Sequence, residues 1–76
     1  MTEWNENRVA RGSFAVDAHL KSYSDMNMHD IESDGDKEAA FVDCLADILH
    51  YAKREGFSPA QMMGMALNHF RAEAGE

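Results

Sequence analysis

The run Arg54-Glu55-Gly56-Phe57-Ser58-Pro59-Ala60-Gln61 stops one helix and starts another within four residues, and it constrains the fold more than any other feature of the chain. Gly56 can take the left-handed position just beyond a helix end, and Phe57 can then fold back onto Ala52, as in a Schellman stop. Ser58 is a good N-cap, Pro59 suits the first helical position, and Gln61 at N3 completes a capping box, with Phe57 placed to staple against Met62. Upstream, Phe41, Leu45, Ile48 and Ala52 share one line at 100° per residue, flanked by Val42, Cys44, Leu49 and Tyr51. Acids in the first turn (Asp36, Glu38) and Lys53 and Arg54 in the last suit the macrodipole. The spacing predicts helices over about 36–54 and 58–73, the second presenting Met62, Met63, Ala66, Leu67 and Phe70 on one face. The expected fold class is therefore mostly α, an αα-hairpin formed by residues 37–76.

With 76 residues the chain makes one small domain, and its single cysteine, Cys44, excludes an internal disulfide or a zinc set with other cysteines. Cys44 sits at the rim of the apolar face, as a packed thiol would. Tight helix packing or oligomerisation must supply the stability. The apolar arc of the first predicted helix, about 180° wide, exceeds what one partner helix covers. A homodimer of hairpins in a four-helix arrangement is expected.

Residues 1–24 read as an N-terminal arm. Phe14, Val16, Ala18 and Leu20 alternate with Ser13, Ala15, Asp17, His19 and Lys21 as in a strand, while the spacing also permits a short helix or a loose segment. Between arm and hairpin, residues 25–36 form an acidic linker or strap. Asp25, Asp30, Glu32, Asp34 and Asp36 occur there with no basic residue.

The charge argues about partners. At net −7 the chain repels nucleic acid and anionic membranes and favours basic partners, and residues 1–36 carry eight acids against three bases. No apolar run approaches the roughly 20 residues that cross a bilayer, and Met1-Thr2-Glu3-Trp4-Asn5-Glu6 does not resemble a signal peptide, so a soluble cytoplasmic protein is expected. A helix–turn–helix reading of the Gly56 turn is opposed by its recognition helix, whose one basic residue, Arg71, stands at the far end.

Three sets of side chains could carry chemistry. Asp43, Asp47, His50 and Arg54 cluster within about 60° on the first predicted helix and could ligate a divalent metal or do acid–base work, but a charged face opposite an apolar one is also what a solvated amphipathic helix presents. His69 and Glu73, one turn apart, form an edge pair. Asp30, Glu32, Asp34 and Asp36 read as a contact surface for a basic partner, with Met65, turned away from the Met63/Phe70 line, as a further exposed contact. No catalytic residue, metal or cofactor is assigned, and the chain is not expected to be an enzyme.

The segment Phe41-Val42-Asp43-Cys44-Leu45-Ala46-Asp47-Ile48-Leu49-His50, then Gly56-Phe57 and Ala66-Leu67-Asn68-His69-Phe70-Arg71-Ala72-Glu73, resembles short helical proteins encoded by bacteriophages, prophages and plasmids. Asp43, Asp47, His50, Gly56, Ala66, His69 and Glu73 carry the resemblance, which covers residues 41–73. That group has no agreed biochemical activity, so the resemblance implies a mobile-element origin. A small acidic protein of that origin would act by binding, its acids imitating the phosphate track that a host nucleic-acid-binding or defence complex expects, as in anti-CRISPR and anti-restriction proteins. The contrasting expectation is a metal-dependent or catalytic protein using Asp43, Asp47, His50, His69 and Glu73, and a third is a purely structural dimerisation module.

Overall fold

The computed structural model describes residues 3–75. They form helix α1 (Glu3–Lys21), a 3-10 turn (Met28–Asp30), helix α2 (Asp34–Arg54) and helix α3 (Pro59–Ala74), with no strand among the described residues. The chain divides into two units, Met1–Ala46 and Asp47–Glu76.

In the first unit the arm is a helix of 19 residues, neither strand nor short helix. The alternation that suggested a strand contains an i, i+4 pair, and that pair decides: Val16 and Leu20 are buried, whereas Phe14 is 79% exposed. In a strand all three would share a face. Val16 and Leu20 form one core with Ala40 and Cys44 of α2, and Met28 and Ile31 pack against it.

The same core corrects the expected buried face of α2. Phe41 and Leu45 stay about half exposed, while the smaller Ala40 and Cys44 are covered. Periodicity weights side chains by apolar size and so points to the bulky line. Close approach to Val16 and Leu20 selects the line of small side chains about a quarter-turn away. Cys44 is a buried free thiol, as its rim position suggested.

The segment after α1 is held by local hydrogen bonds. Ser22 Oγ donates to His19 O at 2.6 Å, closing the helix end. The His19 and Tyr23 rings meet edge-on, with centroids 5.3 Å apart. Asn27 Oδ1 accepts from His29 N, and Asp30 Oδ2 accepts from Asn27 N, each at 2.9 Å, a reciprocal capping box on the 3-10 turn. Met28 N donates to Asp17 Oδ1 at 2.9 Å and so ties this turn to α1 across eleven residues. Ser33 then caps α2, its Oγ accepting from Asp36 N at 3.4 Å, so the helix begins at Asp34, two residues earlier than expected.

In the second unit the turn has the expected form. Phe57 N donates to Ala52 O and Gly56 N to Lys53 O, both at 3.0 Å, the two bonds of a Schellman motif. Gly56 has φ +92°. Ser58 Oγ accepts from Gln61 N at 3.3 Å with Pro59 following, which supplies the Ser58 half of the expected box. A second left-handed glycine, Gly75, closes α3, donating to Ala72 O and Arg71 O.

A β carbon at position 56 would meet nothing within 4 Å, so any penalty there comes from the backbone alone. Gly56→Val should destabilise by about 1 kcal/mol or more, and Gly56→Asn by less, because Asn tolerates the left-handed region. Ser58→Ala should cost about 1 kcal/mol. Thermal melts followed by circular dichroism check these values, and a Val variant that melts no lower than the Asn variant would contradict the backbone argument.

Candidate partner-binding surface

The core of the first unit places the acidic residues. Ile31, packed on that core, also lines an open cleft together with Met26, Asp30, Glu32, Ser33 and Asp36. The cleft measures about 540 Å³, and every lining residue except Ile31 is exposed. It can accept a long side chain from outside but cannot enclose a small molecule. A lining of apolar side chains and carboxylates suits Lys or Arg, whose aliphatic stem lies on apolar surface while its charged head stays in polar surroundings.

Three of the four acids expected to bind together therefore share one cleft, and Asp34 is not among its lining residues. Local structure also uses some of them. Asp30 completes the capping box, and Asp34 and Asp36 occupy the first turn of α2, where the helix dipole favours negative charge. Glu32 lies outside both helices. Met26 and Ile31, the apolar part of the cleft, were not singled out in the sequence. Their signal was their position within the acidic run.

Met65, the remaining expected contact, is 53% exposed and belongs to the second unit, where it lines a hollow with Phe57, Ser58, Gln61 and Met62. A further open cleft in the first unit is lined by Ser13, Asp17, Met28, His29 and Lys37. Its Asp17 already accepts the Met28 amide.

Asp43, Asp47, His50 and Arg54 are all exposed, and the Arg54 guanidinium lies over the Tyr51 ring, 5.1 Å from its centroid. His69 is exposed and Glu73 half-buried. Among the described residues no three of the His, Cys, Asp and Glu side chains converge as a metal site would require. No described helix is long and apolar enough to cross a membrane.

Compared with protein-family models, curated proteins and solved structures, the chain matches none.

Proposed function

We propose that this is a small acidic binding protein that docks a basic host partner, such as a defence or nucleic-acid-binding complex, and inhibits it by occupying the surface that partner uses for phosphates. The observation that carries this reading is the cleft that Asp30, Glu32 and Asp36 line together with Met26, Ile31 and Ser33. A solvated spacer has no need of an apolar residue anchored to the core among its acids, whereas a site for Lys or Arg makes use of one. The mobile-element resemblance of residues 41–73 accords with such a role. In this reading the protein has no catalytic step of its own, works in the cytoplasm without contacting nucleic acid directly, and is a homodimer built through the α2–α3 hairpin.

At physiological ionic strength the carboxylates act only within about 8 Å, so the partner must come into contact with the cleft. The test uses an Arg-rich peptide as probe and two variants with equal charge loss. One replaces Asp30, Glu32, Asp34 and Asp36 by Asn and Gln, and the other neutralises Glu6, Glu38, Asp43 and Glu55 in the same way. The first should lower the association rate at low salt by about tenfold or more and flatten its salt dependence, and the second should do so far less. Equal losses in both would reduce the effect to net charge and remove the cleft from the mechanism. Circular dichroism of the first variant is needed alongside, since Asp34 and Asp36 also support the start of α2.

A further inference from the structure

Lys37 is the only Lys or Arg in residues 22–52, a stretch that holds eight acids. It lies within the first four residues of α2, near the helix end whose dipole disfavours a cation. It is half-buried, its amide donates to Ser33 O at 3.0 Å, and its ammonium pairs with no carboxylate among the described residues. Helix-end electrostatics accounts for Asp34 and Asp36 beside it and opposes Lys37.

Lys37 lines the second cleft of the first unit, about 250 Å³, with Ser13, Asp17, Met28 and His29. This cleft and the acidic one draw on neighbouring residues at two places in the chain. His29 lines one and Asp30 the other, and Lys37 lines one and Asp36 the other. Consecutive residues stand about 3.8 Å apart at Cα, so a single short segment of a partner can reach both clefts. The 3-10 turn that carries His29 and Asp30 is fixed before binding, because the Met28 and His29 amides donate to Asp17 and Asn27.

We infer that this second cleft takes a carboxylate of the same partner segment that places Lys or Arg in the acidic cleft, so that the segment recognised carries both signs of charge. The inference rests on the proposed function and narrows the chemistry of its partner. Lys37 supplies the charge, and the Ser13 hydroxyl and His29 imidazole are further donors for a carboxylate. Asp17 lines the same cleft, and its remaining charge favours a singly charged carboxylate over a doubly charged phosphate, which it would repel more strongly.

The consequence is selectivity. A surface of acids alone attracts any basic surface. A cation set beside them repels a partner with an unbroken run of bases and admits one in which an acid accompanies the base.

A peptide of alternating Arg and Gly serves as probe, with two further sets in which Glu or Lys replaces each Gly in turn, and binding is read at low salt by fluorescence anisotropy. Net charge alone requires every Lys to tighten binding to this acidic chain and every Glu to weaken it. The expected result is the reverse at one or two positions, where Glu tightens binding by about twofold to fivefold, as one exposed ion pair would, and Lys weakens it. Lys37→Gln should abolish that reversal and Lys37→Arg should keep it, with the circular dichroism of both unchanged, since Lys37 makes no ion pair within the fold. Binding that follows net charge at every position, or a reversal that survives Lys37→Gln, would overturn this inference and leave the acidic cleft standing. Failure of the Arg/Gly peptide itself to bind would overturn both.

Discussion

Leu20→Ala is expected to remove a large part of the stability of the first unit. Leu20 is 5% exposed and shares its core with Val16, Ala40 and Cys44, a set with no large side chain to spare. Truncating a buried leucine to alanine costs about 2–5 kcal/mol. A chain of this length has in total roughly 4–11 kcal/mol to lose. Urea denaturation followed by far-ultraviolet circular dichroism should show a midpoint shifted strongly downward, or a first unit already melted in buffer. Phe14→Ala is the matched control. At 79% exposure it should change stability by less than about 0.5 kcal/mol, although phenylalanine is the larger side chain. Equal losses at the two positions would mean that Phe14 shares the buried face, as a strand would require, and would contradict the helical arm.

Asp17→Ala should produce the next largest loss, about 1.5–3 kcal/mol, because it removes a hydrogen bond to a charged acceptor and leaves the partly buried Met28 amide without it. The effect should extend beyond the residue itself. Met28 and Ile31 pack on the core, and Ile31 and Asp30 also line the acidic cleft, so releasing the 3-10 turn from α1 should loosen that cleft. Asp17→Asn retains an oxygen acceptor and should recover part of the loss. Amide hydrogen exchange at Met28 reads the bond directly: protection should fall in the Ala variant and be partly restored in Asn. Unchanged protection in the Ala variant would show that the 2.9 Å contact does not hold the turn.

Both effects concern contacts that join residues distant in the chain, and this accounts for what could be read early. The Gly56 turn, the Ser58 cap and the end of α2 at Arg54 were legible because each depends on a few consecutive residues. A left-handed position, a side-chain acceptor three residues before an amide and a ring-locked φ act at short range whatever surrounds them. The helicity of residues 36–54 was legible from the 3.6-residue spacing of Phe41, Leu45, Ile48 and Ala52 and the charges at its ends, and Ser33 adds two residues at its start.

The acidic run was visible as composition, but its geometry was not. Four like charges at Asp30, Glu32, Asp34 and Asp36 repel one another. Part of that charge is used locally, by Asp30 in a capping box and by Asp34 and Asp36 at the positive end of α2. That Asp30, Glu32 and Asp36 line one cleft with Ile31, itself packed on the core, is a fact about packing that no spacing within the run encodes.

The sequence by itself determined where α2 stops and α3 starts, since the Gly56 stop and the Ser58 cap are decided by neighbours within about one turn. Tertiary structure decided the rest. It made the arm a helix, because Val16 and Leu20 found Ala40 and Cys44 to cover them, and an alternating pattern carries both periods until a partner surface selects one. It also buried the small line of α2 and left Phe41 and Leu45 half open, because close packing rewards the side chains that fit between two helices, and hydrophobic periodicity measures only how apolar each one is.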